Sequence, residues 1–172
     1  MVYKATDVAN YVVKLSNDLG DEITHLRLQK YLYYIQGAFL ALKGEPAFSE
    51  EILAWKYGPA VHSVFSAYTK YDKGPLPSPK IKVIISETDQ LFIKEIYNRY
   101  RKYSTPQLVD KTHSETPWSD SSESGVISNE SIRSFFADSV FNDNDLLSDK
   151  PVVTELPTEL YDPSEDEEWS NY

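Results

Sequence analysis

Residues 26–62 read LRLQKYLYYIQGAFLALKGEPAFSEEILAWKYGPAVH. Leu28, Leu32, Ile35, Phe39 and Leu42 recur at three-and-four spacing, the period of one helix face. Thr24 stands where an N-cap hydroxyl accepts from the free amides of the first turn, and Gly44 stands where a helix ends. The predicted helix therefore runs from Thr24 to about Lys43. Tyr31, Tyr33 and Tyr34 widen its apolar face in more than one direction, so they either pack against two neighbouring elements or line a groove. Gly37 permits close approach by another element. Residues 44–51 form a loop, and Ile52–Trp55 is too short for an independent helix and reads as extended. Trp55-Lys56-Tyr57-Gly58-Pro59 then sets two large aromatics against a Gly-Pro corner. Pro59 suits the first position of a third helix carrying Val61, Val64, Phe65 and Tyr68.

Outward from this stretch the chain continues in short helices. Val8, Tyr11, Val12, Leu15 and Leu19 predict a helix over about 6–18, stopped by Gly20. Prolines 75, 77 and 79 end the third helix. Residues 80–85 alternate partially and suggest a short strand pairing with residues 52–55. Ser86 caps a fourth helix to about Tyr103, with Leu91, Ile93, Ile96, Tyr97 and Tyr100 apolar. Thr105-Pro106 starts a short fifth helix ending near His113, and Ser128 starts a sixth containing Ile132, Phe135, Phe136 and Val140. The expected fold is mainly α: a compact bundle of about six helices with a minor β element over residues 1–141. Residues 142–172 are acidic, punctuated by proline and weakly periodic, and read as a flexible tail.

Composition removes several function classes. The 172 residues include no cysteine, which excludes disulfides, thiolate metal sites and cysteine nucleophiles. With only 6 glycines and neither common phosphate-loop pattern, ordinary nucleotide binding is disfavoured. No apolar run approaches the roughly 20 residues that span a bilayer, and the first residues lack a signal-peptide pattern, so a cytoplasmic protein without membrane contact is expected. Residues 1–112 carry a net charge of +3 and residues 113–172 one of −13. That acidity repels nucleic acid and suits a basic partner or an acidic mimic of nucleic acid. Arg99, Arg101 and Lys102 interleave with Tyr97, Tyr100 and Tyr103. The simpler reading makes those tyrosines core and those charges solvated.

His25, His62 and His113 lack metal-ligand spacing, so no metal or cofactor is expected, and His25 reads as exposed at a helix start. In His113-Ser114-Glu115-Thr116-Pro117-Trp118, a hydrolytic reading would make His113 a base oriented by Glu115, with Ser114 or Ser119 as nucleophile. Neighbours on one turn seldom converge as such chemistry requires. The favoured reading has Pro117 and Trp118 pinning the loop to the core.

Three segments in this order, Leu28-Gln29-Lys30-Tyr31-Leu32-Tyr33-Tyr34 with Gly37, Ala54-Trp55-Lys56-Tyr57-Gly58-Pro59, and His113 to Trp118, resemble the Panacea antitoxin domain, the SocA-like or GepA-like phage-associated family. The resemblance covers roughly residues 5–140. It implies a mainly helical, non-enzymatic antitoxin that neutralises a co-encoded toxin by direct protein–protein binding. Some members of such families act as adaptors delivering a toxin to a ClpXP-type protease. The residues expected to form the partner-binding face are Tyr57, Gly58, Pro59, His62, His113 and Trp118.

Overall fold

The second helix organises everything else, because its burial has no polar side. α2 (His25–Ala38) buries every residue except Arg27. A helix enclosed all round must be a central element, yet this one carries Gln29, Lys30 and Gln36. Buried polar groups require partners, and these three find them in the backbone of flanking segments. Gln29 Oε1 accepts from the Val61 amide at 2.8 Å and its Nε2 donates to the Val61 carbonyl at 3.2 Å. Gln36 Oε1 accepts from the Ala47 and Phe48 amides at 2.9 and 3.2 Å, while its Nε2 donates to the Phe48 carbonyl and to Asn129. The helix thus clips extended chain on both sides much as a neighbouring strand would.

The computed structural model describes residues 1–140 except 81 and 124. Around α2 lie α1 (Ala5–Asp18), α3 (His62–Tyr68), α4 (Glu87–Tyr100), α5 (Thr105–His113), α6 (Thr116–Ser119) and α7 (Asn129–Phe135). A π-helical turn, Phe39–Lys43, extends α2 to Gly44, and another, Phe136–Val140, extends α7. β1 (Ile52–Trp55) is the middle of a three-stranded antiparallel sheet, between β2 (Gly58–Ala60) and β3 (Val126–Ile127). No helix among the described residues is long and apolar enough to cross a membrane.

The mainly helical expectation is met, with seven α-helices among the described residues rather than about six in all, since the single turn Thr116–Ser119 is helical in its own right. The expected acidic tail, residues 142–172, lies outside the described residues. Thr24, Ser86 and Ser128 cap their helices as predicted, each side chain accepting a backbone amide three residues on. The cap of α5 is Ser104 rather than Thr105: its hydroxyl accepts from Gln107 N while the Gln107 side chain accepts from Ser104 N, closing a capping box that only Ser104 can reach.

Other readings are corrected. Pro59 belongs to β2, not to a helix start, because Trp55 pairs with Gly58 and the chain turns back at once; α3 begins at His62. Residues 80 and 82–85 do not pair with β1, whose two edges are already taken by β2 and β3. α4 ends at Tyr100, and Leu91 on it is 66 % exposed. Leu42 is also exposed, since the π turn rotates it off the helix stripe. His25 is buried rather than exposed, its ring against Phe65.

The tyrosines of α2 resolve as core packed in several directions. Tyr31 stacks on Tyr97 and Tyr34 on Tyr100, with centroids 4.6 and 3.8 Å apart, while Tyr33 meets Phe136 edge-on. Gly37 supplies the predicted close approach: a Cβ there would lie 2.4 Å from the Phe136 ring. Tyr97 and Tyr100 are buried and Arg101 pairs with Asp21 at 2.8 Å, so the basic end of α4 is a solvated helix end above a tyrosine core.

Candidate functional site

The β1–β2 hairpin turns through Lys56 and Tyr57 alone, since Trp55 already faces Gly58. Gly58 sits at φ +102°, in the region that favours glycine. A Cβ on it would lie 2.7 Å from both Lys30 Nζ and Thr112 Oγ1. Three elements therefore meet at this point: α2 through Lys30, the hairpin through Gly58, and α5 through Thr112. Pro59 has no amide to lose on this strand, and its carbonyl accepts from Lys30 Nζ at 3.0 Å. Lys30 is fully buried, and burial drives its amine well below the usual lysine range.

The next residue of α5 after Thr112 is His113, which lies flat on Trp118 with centroids 4.0 Å apart and planes 18° apart. Both grip the hairpin. The His113 ring hydrogen-bonds to the Lys56 backbone, and Trp118 Nε1 donates to the Trp55 carbonyl at 2.9 Å. Trp55 in turn meets His62 and Phe65 edge-on at 6.1 and 5.1 Å. Burial first, and then the Lys30 charge, push the His113 imidazole down to about 4, against the opposing hydrogen bond to Lys56, so the ring is neutral near neutral pH.

Between His113 and Trp118, Glu115 turns inward and is 3 % exposed. Tyr34 Oη donates to its Oε1 at 3.1 Å and Lys111 Nζ lies 3.4 Å away. Burial raises this carboxyl to about 7, although Lys111 and the Tyr33 and Tyr34 hydroxyls pull it down. The Glu115 carbonyl accepts from the Trp118 and Ser119 amides, so one residue anchors the turn to the core and starts α6.

Of the six residues expected on a binding face, Tyr57, Gly58 and Pro59 are buried, His113 and Trp118 are half-buried and His62 is exposed. The fold brings all six around the hairpin. Outside are His62, the edges of His113 and Trp118, and Lys56; inside are the groups that fix the backbone. The hydrolytic arrangement is not assembled. Ser114 Oγ donates to the Lys111 carbonyl at 2.7 Å, Ser119 Oγ bonds to Asp120 at 3.4 Å, and the His113 ring is held by Trp118 and Lys56. Sequence reasoning missed Lys30 and Thr112. Lys30 could have been noticed as the single charge within a run of leucines and tyrosines.

A family model described as antitoxin SocA-like, Panacea domain, matches residues 28–119, just over half of the chain. The match begins on α2 and ends with α6, so it contains Lys30, the whole hairpin, His113, Glu115 and Trp118. Among curated proteins, the chain is similar to antitoxin SocA of Caulobacter vibrioides (strain NA1000 / CB15N), 41 % identical over 66 residues. That alignment covers 37 % of this chain and 35 % of the relative, so the similarity spans about a third of the relative's length. No solved structure matches.

Proposed function

The chain belongs to the SocA-like, Panacea-domain antitoxin family, and from that premise we propose that it neutralises a toxin encoded beside it by direct protein–protein binding. It acts as a binding protein rather than an enzyme, and meets its toxin in the cytoplasm. The contact surface is the outer side of the hairpin, where His62, His113 and Trp118 surround Lys56 and Tyr57. Tyr57, Gly58 and Pro59 shape that surface from beneath.

The observation that carries this reading is the convergence of three sequence segments on one two-residue turn. His113 and Trp118 are stacked and tied to the turn by hydrogen bonds, so little side-chain freedom remains to be lost when a partner docks. Rigid aromatics with one polar edge suit the centre of a protein interface. Co-expression with the neighbouring toxin gene tests the reading: growth is rescued and the two proteins co-purify. A toxin that still arrests growth, with no complex formed, refutes it.

A further inference from the structure

The turn that carries half of this face rests on a single buried acid. Glu115 is the one carboxylate among the buried residues described. Its side chain reaches into the tyrosine core while its backbone carbonyl holds the amides of Trp118 and Ser119. α5 presents Lys111 to it; α2 presents Tyr33 and Tyr34; α4 presents Tyr100. α7 packs against α6, but its charged residues Glu130 and Arg133 are exposed. The Tyr33 hydroxyl and Glu115 Oε2 face one another, both buried and neither completing a hydrogen bond of good geometry. A protonated carboxyl can donate in this setting. An ionised one is paired among the described residues with Lys111, at 3.4 Å, and gains much more from water.

We propose that Glu115 is a positioning residue that couples the binding face to pH: losing its proton favours release of the α5–α6 turn, and with it the His113–Trp118 pair. The coupling deepens the proposed function and rests on it for its biological meaning. The closed turn holds the proton more tightly than the open turn, where the carboxyl meets water. By linkage, the opening equilibrium therefore grows as pH rises from the ordinary glutamate value of 4.5 to about 7, and levels off above that. His113 is freed by the same opening, from about 4 in the closed turn toward 6.5 in water, and it opposes this trend between about 4.5 and 6.5, so its titration has to be removed for the Glu115 effect to be read alone.

Hydrogen exchange at the Trp118 indole, in the full chain without any partner, reads this opening directly, because that N–H is bonded to the Trp55 carbonyl. In a His113→Gln background, which removes the opposing titration, and after correction for intrinsic exchange, the protection factor should fall on the order of 100-fold between about pH 5 and about pH 8. Added to that background, Glu115→Gln should flatten the profile, and Lys111→Met should move its midpoint upward by removing a cation that favours ionisation. A His113→Gln protection factor that does not change with pH overturns the proposal, as does a profile unchanged by adding Glu115→Gln or Lys111→Met to it. Since no toxin enters the measurement, a flat profile leaves the antitoxin reading standing, and a failed rescue leaves the coupling standing.

Discussion

Replacing Gly58 by alanine tests whether the three-way junction at the hairpin is as tight as its geometry states. Two penalties act together. A non-glycine residue at φ +102° costs about 1–2 kcal/mol in backbone strain. The new Cβ would also lie 2.7 Å from Lys30 Nζ and Thr112 Oγ1, and relieving such a clash in a packed interior costs about 1–3 kcal/mol. Lys30 cannot swing away freely, since its Nζ donates to the Pro59 carbonyl and moving it weakens that bond. The expected loss is about 3–4 kcal/mol, a large share of the roughly 5–15 kcal/mol typical of a domain. Gly20→Ala is the natural control: its φ is +74° but nothing lies within 4 Å of the added Cβ, so only the strain, about 1 kcal/mol, should appear. Equilibrium unfolding in urea, followed by tryptophan fluorescence, measures both. Equal losses for the two variants would refute the claim that Lys30 and Thr112 close on Gly58.

Two further outcomes follow from the same network. Glu115 has its folded pKa raised from 4.5 to about 7, so its stabilising contribution is present at low pH and lost as pH rises through that window. His113 is depressed from 6.5 to about 4, so its contribution is present above 6.5 and lost as pH falls. The two slopes oppose one another between about 4.5 and 6.5, and wild-type stability should be nearly flat there. Glu115→Gln should then reveal a rise with pH worth about 2 kcal/mol, discounted because the His113 ring is partly solvated. His113→Gln should reveal a fall of about 3 kcal/mol across the Glu115 window; denaturation midpoints in a pH series check both signs. Gln36→Leu should destabilise by about 2–4 kcal/mol, because the Ala47 and Phe48 amides lose their buried acceptor and the Phe48 carbonyl its donor, and thermal unfolding measures it.

Local chemistry was readable where the deciding groups are neighbours in sequence. The caps at Thr24, Ser86 and Ser128 need only a hydroxyl and an amide three residues away, and the stop at Gly44 needs only its own backbone. Pro59 was misassigned for the opposite reason. Pro at a helix start and Pro in an edge strand look alike in sequence, and Gln29 and Lys30, about thirty positions away, decide between them by holding Val61 and Pro59. The burial of His25 depends on Phe65, which local spacing cannot bring near. At the site, the aromatic corner and the late His-to-Trp segment were both visible, but their contact was not. Nothing local indicates that Trp118 Nε1 would reach the Trp55 carbonyl, or that Glu115 would turn inward toward Tyr34 rather than outward toward His113.

The most direct test of the account is the affinity of the purified chain for its co-encoded toxin, by calorimetry, in His62→Ala and Leu91→Ala. Both side chains are exposed; one belongs to the hairpin face and the other to α4. The account predicts that His62→Ala weakens binding about tenfold or more, as removal of a central contact does, while Leu91→Ala leaves it unchanged. Unchanged affinity in His62→Ala, or an equal loss in Leu91→Ala, would contradict it.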